Sequence, residues 1–280
     1  MGVSARPTTR ATPRSAKIPG ARTLGAAGGR FISRGHLLLR ALYWLGWLVF
    51  SRREVVSSSV EREIEAIGLG ALRLVTSASL LLGLIATFQI AYQLAPYGAE
   101  SLSARAIGWF TARELGPVSV ALLVVARSAS AIAGELGSMS ANGEIDALRA
   151  MGLDPVKYLV SPKLAALLIA LPALTILADG LIVLGGWIGS VVFLGFNSRY
   201  FLEQFRSGFE VRDLLVGLAK AFLFTFIVAV IPADEGLSVR RRVAAIGLAT
   251  TRAVVFSLIG VLAADTVVNA IFYFIPGLVY

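Results

Sequence analysis

Residues 113–162 read RELGPVSVALLVVARSASAIAGELGSMSANGEIDALRAMGLDPVKYLVSP. An apolar run opens at Pro117, carries Arg127 at its middle and ends near Leu136. A short block, Asn142–Gly152, follows with Glu144, Asp146 and Arg149, and a second long apolar run starts at Lys163 or Leu164. About twenty apolar residues are needed for a helix to cross a ~30 Å hydrocarbon core. Two such runs joined by a compact polar block form a membrane hairpin with a loop built to touch a partner. This reading makes the fold all-α and integral to a membrane.

Composition agrees. Of 280 residues, 56% are hydrophobic and 15% charged, against ~45–50% and ~25% in a soluble domain. The mean hydropathy is +0.77. The chain has no cysteine and a single histidine, His36. Disulfides, thiolate metal sites, a cysteine nucleophile and a His-based metal site or triad are therefore excluded within one chain. We expect no catalytic residue and no metal.

Working outward from the opening stretch, we expect five spans: about 69–94, 117–136, 164–194, 214–231 and 249–274. Residues 96–115 read as a short re-entrant or interfacial excursion, and 197–213 as a polar connection. His36–Phe50 is apolar but too short to cross, and Tyr43, Trp44 and Trp47 suit an interface. It is expected to lie in the membrane surface. Residues 1–35 form a basic tail rich in Ser, Thr, Pro and Gly, expected to be disordered. The membrane domain then covers 36–280. The net charge of +9 is concentrated in that tail, where residues 1–40 contain no acid. With Arg240, Arg241 and Arg242 it places the N-terminus in the cytoplasm and the C-terminus outside. Anionic lipid, not nucleic acid, is the expected neighbour of the tail. The same acid-poor, Arg-rich composition also resembles an organellar transit peptide.

Ionisable groups inside spans are costly and are functional candidates by default. Arg127, Asp179, Lys220 and Asp265 are the four. Neutralisation across helices, Lys220 with Asp265 and Arg127 with Asp179, stands beside direct contact with cargo or a water-filled path. Arg113, beside Glu114, suits either phosphate binding or interfacial anchoring. In the 142–152 block, Ile145, Leu148 and Met151 recur every three residues and Gly152 ends the pattern, as in a short amphipathic helix. It either docks into a partner or covers the end of the bundle. No G-x-x-x-x-G-K-[ST] phosphate loop occurs, so any ATPase is a separate polypeptide.

RELGP at 113–117, Ala126-Arg127, ELG at 135–137, EIDAL at 144–148, MGLDP at 151–155 and SPK at 161–163 together resemble the MlaE/YrbE permease family. Gly185-Gly186 and ATTRAVV at 249–255 extend the resemblance, which covers roughly 36–275. It implies the homodimeric permease subunit of an ABC transporter that moves phospholipids or related lipids. Its partners would be two cytosolic ATPase subunits, which bind the ATP and Mg, and MCE-domain proteins. This chain would bind no cofactor and catalyse no reaction itself. The implied fold is an interfacial elbow helix plus five spans.

The resemblance carries over to particular residues. Glu144, Ile145, Asp146, Leu148, Met151 and Asp154 would couple to the ATPase. Arg113, Glu114, Lys220 and Arg252 would lie near the lipid headgroup, and Asp265 matches an acid of the last span. Where the family commonly has Thr-Glu-Gln, this chain has Asn142-Gly143-Glu144, so the coupling helix is expected to start one turn late. The expected location is a bacterial inner membrane, or a plastid inner envelope if 1–35 is a transit peptide. The alternative function is an ion-gradient-coupled secondary transporter using Asp179 and Asp265.

Overall fold

The structure is a computed structural model that describes residues 32–46, 54–99, 102–239 and 243–274. The described residues contain no strand. Helix α1 spans residues 32–46. Five long apolar helices follow: α2 (Ser59–Tyr97), α3 (Ser103–Ala141), α5 (Val156–Phe193), α7 (Val211–Leu237) and α8 (Val243–Phe274). Two short helices connect them: α4 (Glu144–Ala150) and α6 (Ser198–Gly208). The long helices have 27 to 39 residues. At 1.5 Å per residue even the shortest extends about 40 Å, more than a bilayer core. The protein is a multi-pass membrane protein.

Close approach between helices rests on small residues. The most extensive packing is α2 on α5. A Cβ on Gly83 would lie 1.9 Å from the Ile182 carbonyl oxygen, and one on Gly185 would lie 2.2 Å from that of Leu80. The Thr87 hydroxyl donates across the same seam to the Gly186 carbonyl at 3.2 Å. Small and hydroxylated residues drive helix association in membranes this way, because apolar burial alone gives no advantage over lipid. The core lies where Val120, Val124, Leu167, Leu171 and Phe224 meet, all fully buried. Helix α8 is the least covered, with Leu248, Val255, Ile259, Leu262 and Val267 facing outward.

Several boundaries differ from the sequence reading. Residues 103–115 are not a re-entrant excursion but the first turns of α3, continuous with the span. The polar 197–213 connection contains α6, started by Asn197, whose side chain accepts from the Arg199 N–H at 2.8 Å. Helix α7 does not stop at Ile231. It continues through Pro232 to Leu237, because Asp234 and Glu235 find Arg34 of α1 at 3.1 and 2.7 Å. That contact also holds Arg34 in helix, inside the segment expected to be a tail. The rest of that tail, Trp47–Phe50 and Arg240–Arg242 lie outside the described residues.

Helix α1 packs Ala41, Leu37 and Trp44 on the bundle and turns Ile32, Leu39 and Tyr43 outward. An apolar outer face on a short helix suits the membrane surface.

Candidate functional site

At one end of the bundle, α3 and α5 are joined by α4. Gly143 precedes α4 with φ +80° and Gly152 follows it with φ +75°. The helix therefore starts at Glu144, two residues after Asn142 and short of the full turn that the family departure led us to expect. Its end is a Schellman motif: Leu153 N–H donates to Leu148 at 2.9 Å and Gly152 N–H to Arg149 at 3.0 Å. Ile145 is buried and anchors α4 to the bundle, while Glu144, Asp146 and Met151 are exposed and Leu148 is half-buried.

Asp154 does not belong to that exposed group. Its carboxylate accepts from Arg40 at 2.8 Å, from Trp44 Nε1 at 2.9 Å and from the Val156 N–H at 3.0 Å. Burial pushes the carboxyl up, but these hydrogen bonds and the Arg40 charge outweigh it and hold Asp154 below its ordinary value. Asp154 thus ties α1 to the α4–α5 corner, and its carboxylate is already engaged within the chain. Lys163, read as the mouth of a span, is buried beneath the same corner. It donates to Glu63 at 2.6 Å and Glu135 at 2.8 Å, clamping α2, α3 and α5 together.

In the half of the bundle away from α4 lies a second polar cluster. Lys220 on α7 is 1% exposed. Its Nζ donates to Glu114 at 2.7 Å and to Asn269 at 2.7 Å, and lies 2.9 Å from Asp265. Asn269 Nδ2 donates to Glu114 and Asp265, each at 3.2 Å. Beside Glu114, Arg113 forms an ion pair with Asp213 at 3.1 Å, without hydrogen-bond alignment. One lysine and one arginine therefore face three carboxylates. A cavity of about 390 Å³ opens at Lys220 between α7 and α8, with Leu215, Val216, Val268 and Phe272 as apolar walls and Arg212 at its edge.

Lys220 and Asp265 are thus together, and Arg113 and Glu114 lie near them. Arg252 does not join this cluster. It precedes Asp265 by thirteen residues on α8, which is about 20 Å along the helix. Asn269 and Asp213 complete the cluster and were not singled out in the sequence. The available signal was Asn269 itself, a polar residue one turn beyond Asp265 in an apolar run.

Arg127 and Asp179 do not pair. Arg127 donates to the Ala66 carbonyl at 2.9 Å and lies 3.5 Å from that of Ile67. Both carbonyls sit in a turn of α2 widened to π geometry, Ile64–Leu69. Such a turn disturbs the helical hydrogen-bond ladder and exposes carbonyls to an outside donor. Arg127 itself lies in another widened turn, Val125–Ala129. Its guanidinium covers Gly70 so closely that a Cβ there would lie 2.1 Å from a nitrogen. Asp179 instead lies against Gly116, whose missing Cβ leaves room for the carboxylate. Neither Asp179 oxygen has a hydrogen-bond partner among the described residues. The two acids of the gradient-driven alternative are therefore in different settings: Asp265 is engaged and Asp179 is not.

Comparison with known proteins adds to this geometry. Residues 60–271 match the family described as Permease MlaE. A probable ABC transporter permease protein of Rickettsia felis is 33% identical over 77% of this chain and 83% of its own length. The intermembrane phospholipid transport system permease protein MlaE of Haemophilus influenzae is 29% identical over 76% of this chain and 82% of its own. A chloroplastic Arabidopsis thaliana protein named trigalactosyldiacylglycerol 1 is 28% identical over 76% of this chain and 61% of its own.

Proposed function

The chain belongs to the MlaE permease family, and from that premise we propose that it is the lipid-conducting subunit of an ATP-driven transporter. As a membrane ABC permease it would hold no ATP itself. Two copies would join two cytosolic ATPase subunits and an MCE-domain protein, and carry phospholipid or a related lipid. The outward apolar face of α8 supports a second copy or lipid beside it. The relative from Haemophilus influenzae, named for phospholipid transport, supports the cargo class.

The observation that carries the reading is the Lys220 cluster. An amphiphile needs an apolar wall for its chains and a few polar groups for its head. The cavity between α7 and α8 offers the wall, and Lys220 and Arg212 stand on it. Because Glu114 and Asp265 already neutralise Lys220, an arriving headgroup would compete for the ammonium with those carboxylates. Binding and release would then be an exchange of partners and would leave no buried charge alone.

At the other end, α4 presents Glu144, Asp146 and Met151 to a cytosolic surface. A push there would pass to the bundle through Ile145 and the Lys163 clamp. The basic residues Arg34 and Arg40 favour a cytoplasmic position for this end, in the inner membrane of a bacterium.

The test is native mass spectrometry of the chain co-expressed with an ABC ATPase subunit and an MCE-domain protein from the same organism. The reading expects two permease copies, two ATPase copies and co-purified phospholipid. A chain that purifies alone, lipid-free, and moves solute on an ion gradient would overturn it.

A further inference from the structure

Five ionisable side chains are buried among the described residues: Lys163, Asp179, Asp213, Lys220 and Glu235. Four have an ion-pair partner. Asp179 is the exception. It is 9% exposed, and both carboxylate oxygens lack a partner. It lines a cavity of about 240 Å³ between α3, α5, α6 and α7. The Thr111 hydroxyl lines the same cavity and is likewise buried without a partner.

The rest of the cavity has a specific chemical character. Phe205 and Phe209 line it. Their rings stack with centroids 5.5 Å apart, and Phe201 continues the stack at 6.4 Å. A carboxylate supplies a counter-charge, a hydroxyl oxygen accepts a hydrogen bond, and aromatic faces attract cations. These three groups around one small space fit an ammonium. An anion would find no cationic side chain in the lining, and a purely apolar ligand would leave two polar groups unsatisfied. The volume lies below that of a drug-sized site, so it accepts a headgroup and not a whole lipid. The cavity is distinct from the Lys220 cavity, sharing none of its lining residues.

We propose that the Asp179–Thr111–Phe205–Phe209 cavity is a binding site for an ammonium group, borne by a lipid headgroup or by a small free amine. Gly116 belongs to the site because a side chain there would collide with the Asp179 carboxylate. Binding here does not depend on whether the chain transports lipid.

The full chain is reconstituted in nanodiscs of equimolar phosphatidylethanolamine, phosphatidylcholine and phosphatidylglycerol, then released and read by native mass spectrometry. Wild type is expected to retain the two ammonium-bearing lipids over phosphatidylglycerol, and D179N to lose that preference by about tenfold, the worth of one charge-assisted hydrogen bond. In a second arm, millimolar ethanolamine or choline is added in detergent without lipid. Stabilisation of wild type but not D179N there identifies a free amine as a ligand, and preference confined to the nanodisc arm identifies the headgroup. Equal retention of all three lipids by wild type, with no response to the free amines, overturns the proposal. So does an unchanged preference in D179N. If D179N fails to fold, T111V combined with F205L must weaken the preference instead, and an undiminished one counts against the site. Ammonium selectivity without ATP-driven transfer would leave this site standing and remove the transport reading.

Discussion

Replacing Lys220 by methionine keeps the volume and removes the charge. In the native chain the Lys220 ammonium is within 2.9 Å of two carboxylates and one amide oxygen. After the change, Glu114 and Asp265 are left facing each other with only Asn269 between them, 3.2 Å from each. Removing one member of a buried pair costs about 3–5 kcal/mol, because the remaining charge is uncompensated. Here two charges remain, so the cost should fall at the upper part of that range. The matched control removes the problem as well as the lysine. Lys220→Met with Glu114→Gln and Asp265→Asn leaves neutral groups that Asn269 can still bond, and most of the loss should return. The assay is unfolding of the purified protein in mixed micelles titrated with SDS. A single mutant within about 1 kcal/mol of wild type would refute the reasoning. A triple mutant no better than the single would do the same.

Gly83→Ala should destabilise by about 1–3 kcal/mol in the same titration, because its methyl meets the backbone of Ile182 and the α2–α5 seam must open. The Asp154 tether should be acid-sensitive. Its folded pKa is below the ordinary 3.8, so its contribution is complete above that value and is lost as pH falls through the lower, folded one. Trp44 fluorescence should therefore report release of α1 only below about pH 4, and Asp154→Asn should show that signal already at neutral pH; a transition near pH 6 in wild type would exclude this carboxyl as its source. Glu144→Lys with Asp146→Lys should lower recovery of the ATPase on co-purification by about tenfold or more, since opposed charges at an interface cost several kcal/mol, while leaving the SDS midpoint unchanged. Equal recovery would remove α4 as the docking element.

The five spans were legible because an apolar run long enough to cross a membrane has few other readings. Helix α4 was legible for a different reason: Ile145 and Leu148 recur at helical spacing, and Gly152 punctuates the end. Two boundaries were harder for one shared reason, those at Lys163 and at Asp234–Glu235. Lys163, Asp234 and Glu235 look like loop residues when read locally. In the fold they are neutralised by Glu63, Glu135 and Arg34, distant in sequence, and the helix runs on through them. The site was half legible. Lys220 and Asp265 are opposite charges in neighbouring spans, and Asn269 stood one turn beyond Asp265 as a weaker signal, whereas Asp213 carries none without the three-dimensional arrangement. Arg127 and Asp179 looked complementary by charge alone. The guanidinium instead takes carbonyls from a widened turn at Ile64–Leu69, a backbone event with no motif to announce it. Arg252 matched by motif but lies at another depth on α8, which only the helix register shows.

The central claim is that this permease moves lipid when a separate motor hydrolyses ATP. The most direct measurement is transfer of fluorescent phospholipid between proteoliposomes containing the co-expressed complex and acceptor vesicles bearing the MCE-domain protein. The account predicts transfer that requires ATP, disappears when the ATPase catalytic glutamate is neutralised, and falls in the Glu144, Asp146 double mutant. Transfer at the same rate without ATP, or driven by a proton gradient alone, would contradict it.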